Sequence, residues 1–184
     1  MTHSVFIDGA VGTTGLEIAE RLSGRSEFTL ITLPDDRRKD VAARAEALNA
    51  ADFAILCLPD AAAVEAVALI TNTTTRVIDA SSAFRVAEGW TYGFAEFAVG
   101  QRDAIRGAMR VTNPGCYPTG FLALIAPLVA RGLLPADWPY TLNAVSGYSG
   151  GGKALIERFE AEGGADIGFR TYGLVLDHKH VPEM

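Results

Sequence analysis

Ser4-Val-Phe-Ile-Asp8 runs straight into Gly9-Ala-Val-Gly12-Thr-Thr-Gly15. A short apolar run followed by three spaced glycines reads as a buried strand, a tight turn and the start of a helix. The helix is expected over residues 13 to 23, with Gly24 as its stop. The spacing, GxxGxxG, differs by one residue from the GxGxxG dinucleotide fingerprint, but the physics is shared. Glycines let the backbone approach a pyrophosphate closely, and the helix N-terminus offers N–H groups and a positive dipole end. Gly9, Val11, Gly12, Thr13, Thr14 and Gly15 are therefore the candidate cofactor cradle. A ligand-free strand–helix turn would look the same locally. The position on a first strand, followed by a helix and a second strand, favours dinucleotide binding.

The same alternation continues outward. Strands are expected at 28–33, 53–58 and 76–79, with helices at 40–49 and 61–70 between them and Pro59 stopping the third strand. The strands are continuous apolar runs rather than alternating ones, as in a parallel sheet covered on both faces. Residues 84–101 read as an irregular connection, and 109–112 as a strand entering a turn. Residues 119–131 read as a helix that is apolar nearly all round and therefore buried, bent at Pro127 and ended at Gly132. A strand at 140–146, a flexible loop at 147–152, a helix at 153–162 and a last strand at 172–176 complete the expectation. The fold class is thus α/β: a Rossmann-like doubly wound parallel sheet over residues 1–115, then the first part of an α+β substrate domain over 116–184.

Five constellations carry chemistry. The end of the second strand, where an adenosine ribose would lie, reads Leu33-Pro-Asp-Asp-Arg37-Arg38-Lys39. An acidic residue there suits the 2′-hydroxyl of NAD and an Arg suits the 2′-phosphate of NADP. Arg37 and Arg38 tilt the reading toward NADP(H), with a solvated charged loop as the plain alternative. Asp79-Ala-Ser81-Ser82-Ala-Phe-Arg85 follows the fourth strand, so Ser81 and Ser82 can donate to a phosphate or cofactor and Arg85 can clamp an anion. Asn113-Pro-Gly-Cys116-Tyr-Pro118 forces a turn just before a helix. A thiol at a helix N-terminus is favoured as thiolate, so Cys116 reads as a nucleophile as readily as a small buried hydrophobe. Ser146-Gly-Tyr-Ser149-Gly150-Gly-Gly-Lys153 is a loop of backbone donors with one Lys, but it lacks the spacing of an ATPase P-loop. His178 and His180 lie near the end of the chain. They suit acid–base work beside Cys116 better than metal binding, because no third ligand stands nearby.

Composition excludes several classes. A net charge of −6 gives no electrostatic footprint for nucleic acid. No cationic amphipathic stretch suggests a membrane surface, and no apolar run reaches the roughly 18 residues of a span. The N-terminus lacks the pattern of a secretory signal. Two cysteines without CxxC make neither a disulfide framework nor a zinc site, and Cys57 falls within a strand-like apolar run. A reducing cytoplasm fits this usage.

Taken together, GAVGTTG at 9–15, DASSAFR at 79–85, NPGCYPTG at 113–120, VSGYSGGGK at 145–153 and HKHVPE at 178–183 resemble the N-acetyl-γ-glutamyl-phosphate reductases in their shorter form. The motifs stand in that family's order and span almost the whole chain. The resemblance implies NADPH-dependent reduction of N-acetyl-L-glutamyl 5-phosphate to the 5-semialdehyde through a Cys116 thioester, in arginine biosynthesis. His180 or His178 would be the acid–base residue, with His180 preferred because Pro182 and Glu183 can fix it. Ser82, Arg85, Asn113, Ser149, Gly150 and Lys153 would contact an acyl-phosphate substrate, and Ser81 the cofactor. It also implies a homo-oligomer in the full-length family and a substrate domain continuing beyond residue 184. Two alternatives stand beside it: a related acyl-phosphate reductase such as aspartate-semialdehyde dehydrogenase, and a non-catalytic nucleotide-binding module.

Overall fold

The computed structural model describes residues 2–161 and 168–184. Its centre is a six-stranded, all-parallel sheet in the order β2-β1-β3-β4-β6-β5. The strands are β1 (His3–Asp8), β2 (Phe28–Ile31), β3 (Phe53–Leu56), β4 (Arg76–Asp79), β5 (Thr91–Tyr92) and β6 (Arg110–Thr112). The helices are α1 (Thr13–Leu22), α2 (Val41–Ala50), α3 (Asp60–Ala68), α4 (Gln101–Gly107), α5 (Cys116–Ala130) and α6 (Gly152–Ala161). The chain steps from β1 out to β2, then back past β1 to β3, so the topological switch point lies between β1 and β3.

Local chemistry explains the boundaries. Asp40 caps α2 by accepting the Ala43 N–H at 2.7 Å. Pro59 ends the third strand segment and precedes α3, where its carbonyl accepts the Ala63 N–H at 2.9 Å. The core lies on one face of the sheet, where Phe6, Ala54, Leu56 and Val77 meet Ala47, Leu48 and Ala51 of the α2 region and Ala66 and Ile70 of the α3 region. Val5 and Ile7, which alternate with Phe6 along β1, are buried as well. A strand covered on both faces needs this double burial, and it is why the strands read as unbroken apolar runs.

The register matters most for function. Asp8 pairs with Leu56, Leu56 with Asp79, Asp79 with Thr112, and Thr112 with Tyr92. One row across the sheet's C-terminal edge therefore launches the glycine turn, the Cys57–Pro59 turn, the Ser81–Arg85 loop and the cysteine turn side by side.

Several expectations fail. Residues 84–101 are not wholly irregular: they contain β5 and the first residue of α4. The α5 helix starts at Cys116, earlier than expected, and is exposed or half-buried along most of its length rather than buried. Only Pro118 and Leu122 are buried in it, and Leu124 is 70% exposed, because no described residue covers its outer face. Its end is as read: Gly132 follows with φ 68° and donates its N–H to Val129. The strand expected at 140–146 is an exposed, irregular segment. The strand expected at 172–176 is also absent; a turn closes there, with the Leu176 N–H on the Gly173 carbonyl at 3.2 Å. Among the described residues neither segment has a neighbouring strand to complete its hydrogen bonds, and extended propensity without a partner does not make a sheet. The last residue of the helix expected at 153–162 lies outside the described residues. Among those described, no helix is long and apolar enough to cross a membrane.

Candidate active site

At the switch point, Gly9 leaves β1 with φ 88°, and a side chain there would collide with the Cys57 carbonyl. A side chain at Gly15 would strike the Gly9 carbonyl. Both positions require glycine for close approach, as a backbone cradle does. The Gly12 N–H donates to the Gly9 carbonyl at 3.1 Å, and Gly12 caps α1 without any side-chain hydrogen bond. Val11, Thr13 and Thr14 are exposed around this turn. Uncapped first-turn N–H groups beside a glycine cradle fit a dinucleotide pyrophosphate.

Sequence reasoning missed the support beneath this turn. Asp8, buried at the end of β1, receives Arg44 of α2, with Nη2 at 2.8 Å from Oδ2 and Nε at 3.1 Å. Both partners are common charged residues at ordinary helix and strand positions, so nothing in the pattern marks them. Arg37 and Arg38 lie in the exposed turn after β2, and Arg38 leans on Asp35 at 3.4 Å. Cys57 is half-buried, and burial, reinforced by Asp79 and Asp8, pushes its thiol up to about 11. It stays protonated and inert, as the strand-like sequence around it suggested.

The Ser81–Arg85 loop is built of local bonds. The Ser81 hydroxyl donates to Asp79 at 2.7 Å, and Ser82 donates both its N–H and its hydroxyl to Asp60, at 2.8 and 2.7 Å. Burial holds the Asp79 carboxyl above its ordinary range, while the Ser82 hydroxyl bond holds Asp60 below it. Arg85 is buried and ion-paired to Glu183 at 2.7 Å, with its Nη2 on the Ala80 carbonyl at 3.2 Å. The expected anion clamp thus has a carboxylate already on it.

Cys116 is the first residue of α5 and is exposed, with Gly115 as a cap that makes no side-chain bond. The turn that delivers it is held to β4, because the Asn113 N–H donates to the Asp79 carbonyl at 2.6 Å. Gly115 has no room for a side chain: an added Cβ would lie 2.7 Å from Arg85 Nη1 and 2.8 Å from both Glu183 Oε1 and His180 Cδ2. The structure therefore gathers His180, Glu183 and Arg85 around the residue preceding Cys116. His180 is 8% exposed, and its Nδ1 has no hydrogen-bond partner among the described residues. Burial, then His178 and Arg85, lower its pKa against the opposing pull of Glu183. The two imidazoles differ in their surroundings. Their rings meet edge to face at 4.5 Å, and only His180 is buried.

The glycine-rich loop reaches this centre through its entry. The Tyr117 hydroxyl donates to Ser146 at 3.0 Å and also bonds the Tyr172 hydroxyl. Ser149 and Gly150 sit in the exposed 3-10 turn Tyr148–Gly151, and Lys153 is exposed in a loose pair with Glu157 at 3.7 Å. Among the described residues, no group of three His, Cys, Asp or Glu side chains could hold a metal ion.

Residues 35–108 match the family model described as semialdehyde dehydrogenase, NAD binding domain, and residues 116–184 match semialdehyde dehydrogenase, dimerisation domain. The chain belongs to the semialdehyde dehydrogenase family. Within it, the N-acetyl-gamma-glutamyl-phosphate reductase of Chelativorans sp. (strain BNC1) is 59% identical over 100% of this chain and 59% of that relative. N-acetyl-gamma-glutamyl-phosphate reductase 2 of Pseudomonas putida is 58% identical over 100% of the chain and 59% of the relative. The chain thus spans 59% of the length of these curated relatives. An aspartate semialdehyde dehydrogenase from Francisella tularensis matches in fold, with a TM-score of 0.64 at 17% identity over 100% of this chain and 55% of that one. The Rossmann-like architecture and its parallel sheet are those of this semialdehyde dehydrogenase.

Proposed function

We propose that this chain carries the cofactor domain and the nucleophile of an NADPH-dependent N-acetyl-γ-glutamyl-phosphate reductase of arginine biosynthesis. Residues 1–115 form the nucleotide-binding unit and 116–184 open the substrate domain. The observation that carries the reading is the placement of an exposed thiol, Cys116, at an uncapped helix N-terminus one residue beyond Gly115, against which His180 packs. The relatives' names and the NAD-binding match support the substrate and cofactor.

The Gly9–Gly15 turn would hold the pyrophosphate, Arg37 or Arg38 the 2′-phosphate, and the Ser81 loop the inner edge of the cofactor. A bound nicotinamide would supply the hydride. The Cys116 thiolate attacks the acyl-phosphate carbonyl carbon; the tetrahedral adduct expels phosphate and leaves a thioester. First-turn N–H groups of α5 face the developing oxyanion, a role suited to uncapped donors. His180, with a free ring nitrogen, would take the thiol proton of Cys116, give it to the oxygen as hydride addition at the thioester carbon makes a thiohemiacetal, and take it back as the C–S bond breaks, which releases the aldehyde and returns the thiolate. Ser82, Arg85, Asn113, Ser149, Gly150 and Lys153 are the candidate substrate contacts. An acyl phosphate is the small-molecule partner, a homo-oligomer the expected assembly and the cytoplasm the expected compartment.

The test is NADP⁺- and phosphate-dependent oxidation of N-acetylglutamate semialdehyde by wild type and Cys116→Ser. Activity lost in a folded, cofactor-binding Cys116→Ser supports the reading. A wild type equally active on aspartate semialdehyde would point to the related reductase instead.

A further inference from the structure

We propose that Glu183 is the positioning residue of the nucleophile: its carboxylate ties the residue before Cys116 to the turn that carries His180, and Tyr92 and Arg85 hold that carboxylate in place. This rests on the reading of Cys116 and His180 as the reacting pair.

The Glu183 side chain is 1% exposed and Arg85 8%. A buried carboxylate is costly unless every oxygen is satisfied. Here Oε1 takes Arg85 Nη1 at 2.7 Å, while Oε2 takes the Tyr92 hydroxyl at 2.8 Å and the Gly115 N–H at 2.9 Å. The donors come from three separate places: the loop after β4, strand β5 and the cap of α5. Tyr92 stands in the same sheet row as Thr112, so its hydroxyl is fixed relative to the cysteine turn.

The other end of Glu183 is tied to the histidines. Its N–H donates to the His180 carbonyl at 3.2 Å, and the Val181 N–H to the His178 carbonyl at 2.9 Å, within the 3-10 turn Val181–Glu183 that contains Pro182. A shift of Glu183 therefore moves the start of α5 and the His180 turn together. An ordinary structural ion pair would touch only one of these. The charged or titratable groups facing His180 are His178, Lys179, Arg85 and Glu183, with the Tyr117 ring of α5 at 6.1 Å. Removing Glu183 thus alters both the place and the charge surroundings of the imidazole.

The test reads Cys116 alkylation by iodoacetamide, followed on its peptide by mass spectrometry, between about pH 5 and 9, where a histidine titrates. Wild type, His180→Asn, Glu183→Gln, Glu183→Ala and Tyr92→Phe are compared, each checked for folding by near-UV circular dichroism. His180→Asn should remove an inflection present in wild type. Glu183→Gln should shift that inflection and change the rate about tenfold, the scale of a small misplacement of reacting groups. Tyr92→Phe, which deletes one bond and no charge, should do the same to a smaller extent and keeps the test open if the Glu183 variants fail to fold. Folded variants with the wild-type profile would overturn the proposal, as would a His180→Asn profile identical to wild type. So would a Glu183→Ala variant that keeps the profile but binds inorganic phosphate more tightly, since the carboxylate would then merely fill an anion pocket. Reductase activity is scored separately: a wild type with a His180-dependent profile and no reductase activity sinks the acyl-phosphate reading alone.

Discussion

Glu183 accepts the backbone N–H of Gly115 at 2.9 Å although 68 residues separate them. This bond, beside those that Arg85 and Tyr92 donate to the same carboxylate, joins the last turn of the described chain to the segment that presents Cys116. It makes the centre an assembly of the sheet edge and the terminal turn rather than a property of the cysteine motif alone.

Cys116→Ser should abolish turnover. Removing a covalent nucleophile lowers kcat on the order of 10³-fold or more, with cofactor affinity and thermal midpoint close to wild type. Stopped-flow nucleotide oxidation together with a nucleotide titration checks both parts.

Only one of the two thiols should label quickly. Cys116 is exposed, whereas Cys57 is half-buried with its thiol raised to about 11. Native-state alkylation near pH 8 followed by peptide mapping should find Cys116 modified first, with Cys57 reacting only after denaturant is added.

Gly9→Ala should be destabilising and lose nucleotide. The residue has φ 88°, and a Cβ would overlap the Cys57 carbonyl. A non-glycine residue in such strained backbone costs about 1–3 kcal/mol before the clash is counted. Urea denaturation measures the stability loss, and nucleotide binding should fall in the fraction that stays folded.

Arg85→Met should cost more than an ordinary surface change. It leaves the Glu183 carboxylate buried without its cation, and breaking such a pair from one side costs about 3–5 kcal/mol. The double change Arg85→Met with Glu183→Gln should recover part of the loss. A double-mutant cycle showing simple additivity would contradict the coupling.

His180 should contribute a specific acid sensitivity. Its folded pKa is lowered below the ordinary value of 6.5, so the unfolded chain binds its proton more readily. The contribution to stability is therefore fully present above about pH 6.5 and is lost as pH falls through that value toward the folded pKa. Denaturation midpoints measured across this range should drop more steeply for wild type than for His180→Asn.

Much of the fold was readable because its signals are local. The run Phe53–Leu58 with Pro59 behind it and the GxxGxxG turn each decide their own conformation within a few residues. Cys116 was placed at a helix start by Pro114, Gly115 and Pro118 for the same reason. Thr91–Tyr92 was not readable: two residues have no periodicity, and they form a strand only because β6 lies beside them. Residues 140–146 and 172–176 failed in the opposite direction, having extended propensity but no partner strand among the described residues. The α5 helix was identified, but its burial was not, since an all-round apolar surface says that a helix wants cover and not whether cover is there.

The candidate site divides along the same line. Sequence alone determined which residue types could do the chemistry: a thiol at a helix start, two imidazoles, a glycine cradle and an Arg after the fourth strand. Spacing and turn propensity specify these without reference to the rest of the chain. Only the tertiary structure decided which histidine is buried against the cysteine turn, that Arg85 is held by Glu183, and that Asp8 and Arg44 brace the cradle. Those choices depend on desolvation and on bonds between residues far apart in sequence, which come into being only when the parallel sheet sets its register.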